Sequence, residues 1–358
     1  MFAEILLIEN LSLCHNEHLG EYIMKLRHTH KLLLALLVSA SVLSDAQAIT
    51  IDPFFDPDYN FTDLGSVPGL PPLYGGLTFK NGDANTVIIG GNANTASGLF
   101  YEVGVTRGAG NHITGFTGSA TAIGLLGEYN DGGIAYGPGG VLFTSRWPVN
   151  EFGQTKPGST DEDKIVDLAA LGVAGSHAAL NFVPAGFGGA GDLKLVSWSG
   201  GEWYTTVLTP DGSGTFDIAV TPVDLDITTM FFDNLPGGPE GFVYVDAVNP
   251  GFGVDSLLVS DFSAGSVSIY DLDGLGNPLV TTRRNFISDL TGVEGAAIDP
   301  LTGDFLFTTF GGGDRVVVVS GFIAPNPPPN GVPEPAMLTL MGFGLAGIGL
   351  MRRQKKNV

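Results

Sequence analysis

Between residues 49 and 323 the apolar positions come in short runs rich in Val, Ile, Phe and Thr, and each run is closed by Gly, Pro or an Asn-Gly or Asp-Gly pair. That chemistry predicts strands and tight turns, with no helix of useful length. The runs recur with a longer period. One strand is read at 85–90, 140–145, 192–197, 255–260 and 304–309, each preceded by another at 76–79, 133–136, 179–182, 241–244 and 295–298. Third strands follow Gly-rich turns at 203–207, 267–270 and 316–319. Fourth strands end in acidic corners at 61–64, 165–168, 231–234 and 287–290. Four strands in each unit of roughly 50 residues is the arithmetic of a β-propeller, because each sheet must bury both faces against its neighbours. The expectation is therefore an all-β propeller of five four-stranded blades, with a degenerate sixth left open. The segment around 54–64 supplies the outer strand that closes the ring against 295–322. A sandwich or barrel with similar turn spacing is the competing architecture, but it carries no such superperiod.

Two apolar runs break this pattern, one at each end. From Met24, Lys25, Arg27 and Lys31 precede an unbroken apolar stretch from Leu32 to Val38, and Ala46-Gln47-Ala48 follows as a small-x-small site. This reads as a secretory signal peptide over 24–48, cleaved after Ala48 to leave Ile49 first. Residues 1–23 carry Glu4, Glu9, Glu17 and Glu21, which would spoil a basic leader, so Met24 is read as the start. At the other end a Pro-rich spacer spans 324–335. It is followed by an apolar run from Ala336 to Met351 and by Arg352-Arg353-Gln354-Lys355-Lys356. Such a run can cross a bilayer with its flanking cations snorkelling, and those cations place the end of the chain on the cytoplasmic side.

Val332-Pro333-Glu334-Pro335, the apolar run, and Arg352 and Arg353 in that order resemble the PEP-CTERM sorting signal of bacteria that make extracellular polysaccharide. The same tail also goes by the name of an ice-binding protein C-terminal domain. The resemblance implies processing by an exosortase near Pro333-Glu334-Pro335. It also implies transient residence in the inner membrane and delivery to the cell surface or extracellular matrix.

Cys14, the only cysteine, falls in the doubtful leader, so the body has neither disulfide nor thiol chemistry. Residues 49–335 hold 32 Asp and Glu against 9 Lys and Arg, a net charge of −23. A surface of that sign repels nucleic acid and favours divalent cations.

Candidate chemistry is thin. His112 and His177 stand apart from any second histidine and from a zinc pattern, and no Gly-x-Ser-x-Gly elbow or phosphate-cradling loop is present. Residues 292–307, with Glu294-Gly295 and the Asp299-Pro300-Leu301-Thr302-Gly303 turn, resemble a blade of the phytase-like, lactonase-like and NHL propeller groups. In some of those enzymes channel carboxylates hold Ca²⁺ and activate water, which makes Glu294 and the equivalent Glu240 candidate metal ligands. The other units offer Gly75, Gly132 and Ala178 there. Asp271 and Asp273, alternate carboxylates before Gly274, could begin a Ca²⁺ loop, although Thr282 stands where a bidentate Glu belongs. An Asp-Gly hairpin explains them more simply. Trp147, Trp198, Trp203 and Tyr204 are rings that could stack on sugars or pack between blades. Threonines are scattered, against a flat ice-binding array.

The sequence thus points to a non-enzymatic binding or structural protein of the polysaccharide matrix, with Ca²⁺ as the sole candidate cofactor. A Ca²⁺-dependent hydrolase with Glu240 and Glu294 at the channel mouth is the alternative. An adhesin or ice-binding protein is a more distant one.

Overall fold

The computed structural model describes residues 49–229, 233–311 and 313–324. The expected leader with Ala46 and Ala48, most of the expected spacer, and the tail with Val332 to Pro335, Arg352 and Arg353 lie outside them.

The described chain is a five-bladed β-propeller. Blade I is Leu77–Lys80, Asp83–Gly91, Leu99–Arg107 and Ile113–Ala122; blade II is Asn130–Tyr136, Leu142–Arg146, Glu151–Thr155 and Lys164–Asp167. Blade III is His177–Phe182, Leu193–Ser197, Trp203–Pro210 and Phe216–Val223. Blade IV is Pro239–Val245, Ser256–Asp261, Ser266–Asp271 and Arg284–Ser288, and blade V is Val293–Ile298, Phe305–Thr309 and Val316–Ser320. Neighbouring strands within every blade are antiparallel. Helix is limited to four single 3₁₀ turns among the described residues.

Ring closure comes from the segment expected to provide it. Asn60–Asp63 pairs with Val317–Ser320 as the outer strand of blade V. Just before it, Thr50–Ile51 adds a fifth strand to the edge of blade IV, which the repeat did not announce. One stretch therefore straps the last two blades together. Between its strands Phe55 and Tyr59 are buried among Phe252, Phe286 and Phe322, mostly edge to face, and the Tyr59 hydroxyl donates to the Pro250 carbonyl at 2.8 Å.

Blade III departs from the expected pattern. Its outer strand is Phe216–Val223, the second arm of a long hairpin with Trp203–Pro210, and not the acidic corner at 231–234. Residues 231 and 232 lie outside the described residues. Eight consecutive cross-strand pairs after the Asp211–Thr215 turn outweigh a short apolar pair further on.

Five buried clusters occupy the five blade junctions, and alternation along the strands assigns side chains to them. In blade I, Val87 and Ile89 face blade V with Leu306 and Val318, while Ile88 faces blade II with Ile134 and Leu142. In blade V, Phe305 and Phe307 face blade IV, where Leu258, Ile269 and Phe286 meet them. Because both faces are covered, the middle strands read as continuous apolar runs. A fully buried Phe or Leu adds about 1.5–3 kcal/mol.

Candidate functional site on the propeller axis

The innermost strands of the blades crowd the axis, and glycine is what permits it. A Cβ on Gly132 would overlap the Glu240 carbonyl. One on Gly76 would lie 2.6 Å from the Gly132 carbonyl, and one on Gly241 2.5 Å from that of Glu294. The second residue of each Glu-Gly pair is thus a packing necessity, while the first projects a side chain into the space that remains. Two hydroxyls pin the crowded backbones. Ser145 Oγ accepts the Gly133 N–H and donates to the Ala178 carbonyl at 2.6 Å; Thr308 Oγ1 accepts the Gly295 N–H and donates to the Gly75 carbonyl at 2.6 Å.

Three carboxylates meet on this axis: Asp131 from blade II, Glu240 from blade IV and Glu294 from blade V, each offering an oxygen within 4.8 Å of the others. Their exposures are 0, 5 and 1 %, so solvent does not reach them. With all three ionised, Asp131 Oδ2, Glu240 Oε2 and Glu294 Oε1 have no hydrogen-bond partner among the described residues; they can bond one another only by sharing a proton. With its amide nitrogen turned inward, Asn94 donates to Asp131 Oδ1 at 3.0 Å and to the Asn130 carbonyl at 3.1 Å.

Burial dominates the electrostatics. It pushes the Asp131 carboxyl up to about 7 even though Glu294, Asn94, the Gly132 N–H and Glu240 hydrogen-bond it. Burial likewise raises Glu240 and Glu294 well above the carboxylate range, reinforced by the charge of Asp131 and, for Glu240, of Glu294. Two like charges this close repel by roughly 3 kcal/mol at an effective dielectric of about 20. The cluster therefore holds either shared protons or a cation, and its donor set of three hard oxygens fits a cation of the calcium class.

Sequence reasoning named Glu240 and Glu294 and missed Asp131. Aligning strands on their glycines set Gly132 opposite Glu240. The inner strands are bulged at this level, with register shifts between Asn130 and Ile134, between Pro239 and Gly241, and between Val293 and Ala296. In blades IV and V the irregularity admits one extra residue, whereas in blade II four steps along the inner strand oppose two on its partner, and this longer bulge carries Asp131 onto the axis. The Asp-Gly-Gly triplet was the available signal. Both glutamates are buried at this level, beside the backbone contacts of Gly132 and Gly241.

Asp271 and Asp273 lie elsewhere, the first at the end of the third strand of blade IV and the second in the turn after it. Asp271 pairs with Arg284 at 3.1 Å. Asp273 Oδ1 accepts the Leu275 and Asn277 N–H groups at 2.8 Å, and its Oδ2 accepts the Asn277 amide at 3.0 Å. Asn277 Oδ1 in turn accepts the Trp203 indole N–H of blade III at 3.1 Å. These carboxylates shape a turn that docks on the neighbouring blade. Trp203 and Tyr204 are buried, so both rings belong to packing, while Trp147 and Trp198 are half-buried.

His112 and His177 take different places. His112 Nδ1 sits 2.6 Å from buried Asp304, beside the Arg107–Asp299 pair, so the Asp299–Asp304 turn of blade V is clasped by blade I. His177 is fully buried, and desolvation lowers it to about 4.

Comparison with known proteins bears first on the tail of the chain. Residues 331–354 match the PEP-CTERM protein-sorting motif. No curated protein matches the chain. Among solved structures, it is similar to an auxiliary nutrient binding protein from Bacteroides thetaiotaomicron, at 9 % identity, 73 % of this chain, 76 % of that one and a TM-score of 0.41. It is also similar to a putative gluconolactonase (12 %, 76 % and 97 %, TM-score 0.39). A third is the PQQ-bound aldose sugar dehydrogenase from Streptomyces coelicolor (14 %, 72 % and 83 %, TM-score 0.36). The ligands and activities in those names belong to those proteins.

Proposed function

We propose that this propeller is exported, processed by an exosortase near Pro333-Glu334-Pro335, and serves as a non-enzymatic binding or structural component of the extracellular polysaccharide matrix. The observation that carries the reading is the sorting motif at 331–354, which implies export and surface sorting. Two features support the rest. The body is strongly acidic, which keeps it soluble outside the cell. The one group of carboxylates among the described residues spaced to hold a metal ion is buried from solvent.

The test is fractionation of cells expressing the full chain with an internal epitope, against a variant with Pro333, Glu334 and Pro335 changed to alanine. The native chain should accumulate in the surface or matrix fraction and the variant in the inner membrane. Equal distribution of the two would remove the sorting reading; release of both from the matrix by washing alone would remove the structural role.

A Ca²⁺-dependent hydrolase remains the second reading, favoured by the convergence of Glu240 and Glu294. Its requirement is a substrate path to those oxygens. Esterase, lactonase and phosphatase activity that disappears in Glu240→Ala and Glu294→Ala would establish it.

A further inference from the structure

Asp131 was not expected on the axis, and it turns a pair of glutamates into a ligand set. We propose that Asp131, Glu240 and Glu294 form a structural site for one calcium-class divalent cation, which ties blades II, IV and V together at the centre of the ring. The site is independent of the matrix reading and differs in kind from a catalytic metal, because nothing reaches it from solvent.

Three observations carry it. The first is geometric: oxygens that ligate one calcium ion stand 2.3–2.6 Å from it and so lie up to roughly 5 Å apart. The three carboxylates offer oxygens no more than 4.8 Å apart. Second, one oxygen of each is buried without a partner among the described residues, although an unpaired buried acceptor costs about 1–3 kcal/mol. Three such acceptors converging on one point need a common partner, and a cation supplies it without the shared protons they otherwise require. The third is adaptability at the rim: the Asn94 carboxamide lies against Asp131 Oδ1 and can offer nitrogen to a carboxylate or oxygen to an ion.

The chemistry also says what the ion does. Blades II and IV meet across the axis through Gly132 and the Glu240 carbonyl, and blade V joins through Gly241 and the Glu294 carbonyl. These backbone contacts supply little attraction of their own. A cation shared by the residues immediately beside them converts mutual repulsion into a common bond, and binding to the folded state alone raises its stability. Because the site is covered, entry and exit require local opening of the inner strands.

The experiment uses the full chain, purified in detergent. Thermal midpoint and heat of binding are followed during titration with CaCl₂ and, separately, MgCl₂, with EDTA reversal. The expected result is one saturable site per chain, tighter for Ca²⁺ than Mg²⁺, a rise of several degrees in midpoint, and slow reversal by EDTA. Asp131→Asn, Glu240→Gln and Glu294→Gln should each weaken Ca²⁺ at least tenfold. Asp56→Asn with Asp58→Asn, both exposed on the strap, should leave the affinity unchanged. If a neutral variant fails to fold, Glu294→Asp keeps the charge, withdraws the oxygen by one methylene, and should still weaken binding. A midpoint and heat that do not respond to millimolar Ca²⁺ would overturn the proposal. So would a response that survives in the neutral variants, since it would then come from the acidic surface.

Discussion

Arg107 in the third strand of blade I grips Asp299 of blade V with both terminal nitrogens, at 2.6 and 3.1 Å, and Asp299 is wholly buried. The same guanidinium donates to the Asn111 carbonyl at 2.7 Å and to Asn85 Oδ1 at 3.0 Å. The first and last blades are thus joined by a bidentate, nearly dry ion pair, in addition to the apolar cluster between them. Removing one partner of such a pair strands the other charge. Arg107→Ala should cost about 3–5 kcal/mol in urea unfolding, and Arg107→Lys, which cannot fork, a large part of that. A double variant with Asp299→Ala that loses no more than either single change would show the coupling.

The turn that resembles a cation loop should behave as a joint. In Asn277→Ala the buried Trp203 indole N–H and Asp273 Oδ2 both lose their partner. The expected cost is about 1–3 kcal/mol, with Ca²⁺ affinity unaltered. A change in calorimetric stoichiometry would instead make the turn a ligand.

His177 sets an acid limit. Its folded value of about 4 lies below the ordinary 6.5, so the folded state binds fewer protons than the unfolded chain between those values. Its contribution is present above about pH 6.5 and is lost as pH falls toward 4, for a total of about 3 kcal/mol. Replacing His177 with Gln should flatten the stability profile between pH 6.5 and 4 relative to the native chain. Parallel profiles would contradict the assignment.

The axial carboxylates act in the opposite direction. Their folded values are raised, so in EDTA their contribution is present below about pH 4 and is lost as pH climbs through about 7 for Asp131 and beyond for the glutamates. Glu294→Gln replaces a repelling acid with a neutral amide. It should stabilise the cation-free protein at pH 8 by about 1–3 kcal/mol while doing little at pH 5. Denaturant midpoints at the two pH values decide the matter, and a loss at pH 8 would contradict the electrostatic account.

The strap should matter more than its length suggests. Phe286→Ala empties the ring cluster that holds Phe55, Tyr59 and Phe322 and should cost about 3–5 kcal/mol. Proteolysis of the folded protein would then begin between residues 49 and 65. An unchanged cleavage pattern would mean that backbone pairing alone secures the segment.

The sequence by itself determined the all-β class, the blade period, the strap that closes the ring, and the sorting tail. Those features rest on local chemistry: Gly and Asp-Gly turns, β-branched runs, and a motif whose residues are contiguous. Glu240 and Glu294 were legible for the same reason, since each precedes a glycine at the head of an inner strand. The tertiary structure alone decided the rest. Asp131 reaches the axis because its strand is bulged by two residues, and a bulge depends on how neighbouring strands pair, not on the residues that precede it. Arg107 and Asp299 are 192 positions apart, as are His112 and Asp304, so only ring closure brings them together. The outer strand of blade III likewise followed from the register of a long hairpin. Burial set the character of the axial carboxylates: identical residues on the surface would be solvated charge, and at the centre of five converging strands they require a shared proton or a cation.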